Sequence, residues 1–395
     1  MKLQKQFKHP LIKSTFYNEI TTRAKLSNFI QSDSHLSMGV FCKKFETDFS
    51  SFQDRKYSVF VNSGSSANLV LIQSLLNLGK LKPKDLVAIS SLTWATNVMP
   101  LLQLGLEVVP VDCDLRTLNI SIENLKKLKV KPKCLFITNV LGFSSNMEEV
   151  STWCDSNDIL LIEDNCESLG SISNNRKLGN WGIASTFSTF VGHHLSTIEG
   201  GLISTDNEEL SNMLIMVMAH GWDRGLSTKT KKNIRSFYDI NDFYAAYTFY
   251  DLAFNVRPTE VNAFIGVEQL KYLDQMIRLR ERNYKIVSKA IKLNSSFISL
   301  QLEHMNVISA FSLPFLCKSE ADAKKIRNKM IENSIEVRPI ISGDITKQPF
   351  YKKYNNKDID LPNSNFIHKC GFYIGNNPDV TQDDLEFIMG IIENI

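Results

Sequence analysis

A chain of 395 residues with 43% hydrophobic and 22% charged content is long enough to bury a large core and to divide into two lobes. Its 45 basic and 42 acidic residues leave a net charge of +3 and are spread along the whole length, so no electrostatic footprint for nucleic acid or membrane stands out. The N-terminal MKLQKQFKHPLIKSTF lacks the apolar stretch of a secretory signal and nowhere do about 20 apolar residues run together, which reads as a cytoplasmic globular protein.

Short apolar runs alternate with helical patterns through the first two-thirds, the signature of βαβ units that stack a largely parallel sheet. Strands are predicted at 56–61, 85–90, 106–112, 133–139, 159–163, 183–189 and 201–205. Behind the first of them, Leu69, Ile72, Leu75 and Leu76 fall on one helical face, and Gly79 follows as a C-terminal cap. The basic run Lys229 to Arg235 reads as a solvated loop. From Thr259 to Ile291 the pattern is one helical stretch broken at most once, and a hinge is placed there. Beyond it come a strand at 308–315, a helix at 320–333, the run VRPIISG and a last helix near 381–393, enough for a small α+β domain. The predicted division is residues 1–265 and 266–395. Seven cysteines, Cys42, Cys113, Cys134, Cys154, Cys166, Cys317 and Cys370, form no C-x-x-C pair and have no neighbouring histidine at metal-ligand spacing. They read as reduced, mostly buried thiols, and no metal site is expected.

Three loops carry chemistry. The turn Asn62 to Asn68 (NSGSSAN) joins the first strand to its helix, so free backbone N–H groups and the positive end of a helix dipole converge on one spot suited to phosphate. It is neither a dinucleotide nor a P-loop fingerprint, and taken alone such a turn also serves plain capping. The run LLIEDNCESLG at 160–170 ends a strand in Glu163 and Asp164, with Glu167 three residues on. A carboxylate at the C-terminal end of a parallel strand points into the crevice where α/β proteins bind ligands, and it can hold a pyridine nitrogen protonated; it can equally cap the next helix. The loop around His193 and His194, between two strands, is hard to explain by packing. An imidazole with an ordinary pKa of about 6.5 suits proton transfer at neutral pH.

Taken in this order, the loops resemble the DegT/DnrJ/EryC1/StrS family of sugar aminotransferases and dehydratases, from Gly39 and Phe45-Glu46 near the start to Gly375-Asn-Asn377 near the end. The resemblance implies an α/β, aspartate-aminotransferase-like (type I PLP-dependent) fold. A large cofactor-binding domain with a mostly parallel seven-stranded sheet and an N-terminal arm would occupy 1–265. A long linking helix and a small α+β domain would follow. It implies pyridoxal 5'-phosphate or pyridoxamine 5'-phosphate as cofactor, with Gly64, Ser65 and Ser188 at its phosphate, Trp94 stacked on the ring, Asp164 at the ring nitrogen and Glu167 near the ring hydroxyl. Asn255 resembles the asparagine that reaches the phosphate from the neighbouring subunit, which implies a homodimer with shared active sites.

One departure from the family pattern decides the expectation. Where the family carries its cofactor-binding lysine, five residues after the serine, this chain has His193, and residues 178–228 contain no lysine at all. The substitution, with the runs STFVGHHLSTIEGG and HGWDR, is similar to a small branch of the family, the 3-dehydratases that use pyridoxamine phosphate. They remove the C3 hydroxyl of a nucleotide-linked 4-keto-6-deoxy sugar, with L-glutamate as amino donor. The iron–sulfur relatives of that branch carry a cysteine cluster, which is missing here, so a GDP-linked sugar such as 4-keto-6-deoxymannose is favoured. His193 would then be the base. His220, Arg224 and Arg338 are candidate substrate contacts, with the dimer seam as the alternative for His220 and Arg224 and a surface ion pair as the alternative for Arg338. The alternatives for the whole chain are an ordinary nucleotide-sugar aminotransferase and a ligand-binding homologue without activity.

Overall fold

In the computed structural model, which describes residues 7–32, 35–355 and 359–394, thirteen strands follow one another along the chain. They are β1 (Tyr57–Val61), β2 (Leu86–Ser90), β3 (Glu107–Val111), β4 (Cys134–Thr138), β5 (Leu160–Asp164), β6 (Ile172–Ser173) and β7 (Arg176–Lys177). Then come β8 (Ala184–Ser188), β9 (Gly201–Thr205), β10 (Met305–Val307), β11 (Ser312–Leu316), β12 (Val337–Arg338) and β13 (Gly371–Gly375). The seven predicted strands of the first two-thirds form one sheet in the order β1-β9-β8-β5-β4-β2-β3. Every neighbour pair from β8 to β3 is parallel, and only β9 runs against its two neighbours. Strands β4, β8 and β9 are buried along their whole length, as expected where helices cover both faces of a sheet.

The helix behind β1, Gly64–Asn77, starts at Ser63, whose side chain accepts the Ser66 N–H, and ends before Gly79 at φ +65°, a left-handed position that glycine takes without strain. Its buried face differs from the predicted stripe. Val70, Leu71, Ile72 and Leu75 are fully buried while Leu69 and Leu76 are only partly so, because the helix is wedged between β8, β9 and the helix Glu208–Val217 and is covered on two sides. The basic run lies in a helix, Thr228–Phe237, rather than a loop, and none of that helix is buried.

The long helical stretch divides into Glu260–Leu270 and Leu273–Leu293. Glu260 is buried, and its carboxylate accepts the N–H groups of Gly39, Phe41 and Cys42 at 2.9, 2.8 and 2.8 Å, capping the helix Val40–Gln53 from outside. Past Leu293 a second core gathers Val287, Phe315, Met330, Phe372, Leu385 and Ile388 around a three-stranded sheet, β11-β13-β12.

The strand predicted at 308–315 is corrected here: it begins only at Ser312, as β11 paired with β13, while β10, paired with β6, ends at Val307 before the predicted range begins. Between them the main chain of Ser309 to Phe311 is engaged elsewhere. The Ser309, Ala310 and Phe311 carbonyls accept from His194, Asn376 and Arg280, and the Phe311 N–H donates to Leu141 O. A ladder there would have left these groups competing for the same atoms. The helix Pro362–Cys370 and β13, the middle strand of the small sheet, were not foreseen. Among the described residues, no helix is long and apolar enough to cross a membrane.

Candidate active site

Strands β1, β5 and β8 all end at the same edge of the sheet, and register brings their ends together: Val61 lies opposite Gly201, and Gly201 opposite Ser188. The start of the helix Gly64–Asn77 is thereby pressed against Ser188. A Cβ on Gly64 would stand 2.7 Å from the Ser188 Cβ, and one on Gly201 would stand 2.4 Å from the Ser63 carbonyl oxygen, so only glycine permits the approach. Of the first-turn donors, Ser66 N–H is taken by the Ser63 hydroxyl and Ala67 N–H by the Ser63 carbonyl. The N–H groups of Gly64 and Ser65 have no acceptor within the helix and sit at its positive end.

Asp164 closes β5. Asn68 Nδ2 and Asn97 Nδ2 donate to its Oδ2 at 2.9 and 2.7 Å, and Cys166 N–H donates to its Oδ1 at 2.9 Å, while Thr186 holds Asn68 from behind at 2.7 Å. Glu163, one residue earlier and therefore on the opposite face, accepts from the backbone of Gly179, Trp181 and Gly182 and is a structural brace. Glu167 accepts the Leu141 N–H at 2.9 Å. Burial, aided by the charge of Asp164, pushes its carboxyl up to about 7 against the pull of that hydrogen bond.

The two histidines have different surroundings. His194 is buried, with Nε2 2.8 Å from the Ser309 carbonyl oxygen, and it fastens the loop to the small lobe. His193 lies edge-on between Phe190 and Phe311, and its Nδ1 is buried without a hydrogen-bond partner. Burial lowers its pKa to about 4, the Asp164 charge working in the opposite direction and Arg280 in the same one.

Gly64, Ser65, Trp94, Asp164, Glu167, Ser188 and His193 all line one cavity of about 410 Å³ between the sheet edge and the small lobe. The other four predicted residues lie outside it. Asn255 accepts from Arg257 at 3.0 Å, His220 packs against Trp222, and Arg224 lies with its guanidinium 3.9 Å from the centre of the Trp222 ring. Arg338 pairs with Glu336 at 2.6 Å, the alternative given for it above. Sequence reasoning missed Cys166, Glu199, Tyr373 and Arg280, which share the cavity wall. Glu199 sits in the quoted histidine run; nothing marked Arg280 among the basic residues of an amphipathic helix.

A pyridoxal-type cofactor fits what is present. The glycine-bounded helix start suits a phosphate, the carboxylate at the end of β5 lines the same cavity, and His193 Nδ1 is buried there without a partner. Among the described residues no lysine lines the cavity, so none of them offers a side chain for a covalent bond to the cofactor.

A model described as the DegT/DnrJ/EryC1/StrS aminotransferase family matches residues 18–393. A GDP-4-keto-6-deoxy-D-mannose 3-dehydratase of Escherichia coli O55:H7 is 34% identical over 394 residues, 98% of this chain and 99% of that protein. Two solved structures of GDP-4-keto-6-deoxymannose-3-dehydratase, one a histidine-to-asparagine mutant with bound GDP-perosamine and one with a trapped PLP-glutamate geminal diamine, match with TM-scores of 0.88 and 0.89. They are 32% and 31% identical to this chain, and each match covers 98% of it and 100% of the other. With the fold, the cavity and these matches in agreement, the chain belongs to the DegT/DnrJ/EryC1/StrS aminotransferase family and has its type I pyridoxal-phosphate fold.

Proposed function

We propose that this protein is a pyridoxamine-phosphate-dependent 3-dehydratase that removes the C3 hydroxyl of a GDP-linked 4-keto-6-deoxy sugar, with L-glutamate restoring the amine, in the biosynthesis of deoxysugars for surface polysaccharide. The observation that carries the reading is His193. It stands where the family's lysine is expected, in a cavity without any lysine, with one ring nitrogen unpartnered.

Gly64, Ser65 and Ser188 would hold the cofactor phosphate, Trp94 would cover the ring, Asp164 would meet its nitrogen and Glu167 its hydroxyl. Bound there, the cofactor supplies an amine for the C4 ketone and a protonated ring that takes up an electron pair. His193, neutral at physiological pH, accepts the proton released beside that amine and returns it, as imidazolium, to the departing C3 hydroxyl. Phe190 and Phe311 flank the imidazole edge-on and would fix its ring plane while the proton is held. Asn255, His220 and Arg224, outside the cavity of their own chain, are assigned to the site of a second subunit in a homodimer, and Arg338 to the substrate or glutamate carboxylate after exchange of its Glu336 partner. The reading carries with it a cytoplasmic location and two lobes, 1–265 and 266–395.

The test is the fate of nitrogen. Incubated with isotope-labelled glutamate and GDP-, CDP- and dTDP-linked 4-keto-6-deoxy sugars, the protein should release labelled ammonia and a 3-deoxy product from the GDP sugar. Label recovered in an amino sugar would make the protein an aminotransferase instead.

A further inference from the structure

Arg280 is only 4% exposed, on the inner face of the helix Leu273–Leu293, and no carboxylate lies within ion-pair distance of it among the described residues. A buried guanidinium normally has a partner, because removing its charge from water costs more than carbonyl bonds return. Here its Nη1 donates to the carbonyl oxygens of Phe311 and Asn376 at 3.0 and 2.5 Å, its Nη2 stands 3.4 Å from the carbonyl oxygen of His193, and its Nε has no partner. Those three carbonyls belong to three segments: the histidine loop, the entry to β11, and the turn after β13. Burial lowers the pKa of this group only to about 10, so it remains a cation at neutral pH.

We propose that Arg280 is the positioning residue of the histidine loop: it ties His193 to the small lobe through backbone carbonyls and sets an unpaired cation beside that loop. The inference rests on the reading of His193 as the base. A proton acceptor influenced by the Asp164 charge would otherwise be held as the imidazolium, with no free lone pair to take a proton. Asp164 from β5 favours the imidazolium, Arg280 opposes it, and His194 is itself held neutral by burial. Cys166, Glu167, Glu199 and Tyr373 complete the titratable groups around the cavity, and Asp379 is the acidic group nearest in effect to Arg280.

The experiment follows the His193 ring by NMR in the full-length protein loaded with pyridoxamine phosphate, labelled at histidine and assigned by loss of the signal in His193→Asn. In the unmodified protein His193 should titrate well below the ordinary value. Arg280→Met should raise its midpoint by about one unit or more, and the acid limb of kcat against pH should follow. Arg280→Lys keeps the charge but cannot span three carbonyls, so its midpoint should stay low while kcat falls roughly tenfold. A His193 midpoint near 6.5 in the unmodified protein overturns the proposal even if neither variant folds, and so does an unmoved midpoint in folded Arg280→Met. The reading of His193 as the base fails separately, through turnover retained in His193→Asn.

Discussion

At His193, the burial that keeps the imidazole neutral also costs the fold stability at low pH. Its pKa is about 4 in the native state against 6.5 ordinarily, so between those values the unfolded chain binds the extra proton and stability must fall as pH falls. His193→Asn should therefore abolish dehydration while leaving cofactor absorbance in place, and should also flatten the loss of stability between pH 6.5 and 4. Denaturant titrations at several pH values check the second half, and a variant as acid-sensitive as the parent would show that the imidazole is not held neutral. The sequence singles out His193 over His194 by its spacing from Ser188 in a stretch without lysine, and the structure places His193 on the cavity wall. The different tethering of the two rings was not legible. Which histidine is fastened to a carbonyl depends on where Ser309 comes to lie, more than a hundred positions later in the chain.

The elements were read well where their signals are local. Each of the seven strands of the large sheet lies within a residue or two of its predicted bounds, because a buried parallel sheet demands continuous apolar runs. Beyond Leu293 the signals are long-range, and the strand expected from 308 starts only at Ser312 for that reason: nothing in residues 308–311 announces that Asn376, Arg280 and Leu141 will claim their backbone. Glu260 belongs to the same class. On its own helix it is a first-turn acid, whereas in the fold it caps the helix Val40–Gln53. Glu260→Ala would leave three backbone donors unpaired and is expected to cost about 2–4 kcal/mol. That loss would be read as a lower denaturant midpoint at unchanged slope, and a midpoint equal to the parent's would contradict the cap.

For the whole molecule, the segment between the sheet and the long helix leaves Phe237, Phe243, Tyr247 and Leu252 exposed by 73% or more, more apolar surface than a solitary chain keeps without use. Asn255 and Arg224 adjoin it but face away from the cavity of their own chain. A homodimer with shared sites predicts complementation. His193→Asn and Asn255→Ala should each be impaired alone, yet mixed subunits should regain about a quarter of full activity, since half the dimers are mixed and one of their two sites is intact. No recovery on mixing would place Asn255 outside any shared site.

The pairing of Val61 with Gly201 has one more consequence, in the order of events during synthesis. The loop 62–68 leaves the ribosome early, but the far wall of its anion cradle, Ser188 and Gly201, arrives only after β9 has reversed direction and inserted between β1 and β8. Such a long-range closure is slow compared with local helix formation. On the proposed reading of loop 62–68, a nascent chain ending before Thr205 has the loop but not the strands that close on it, so cofactor uptake follows completion of the large sheet and cannot template it.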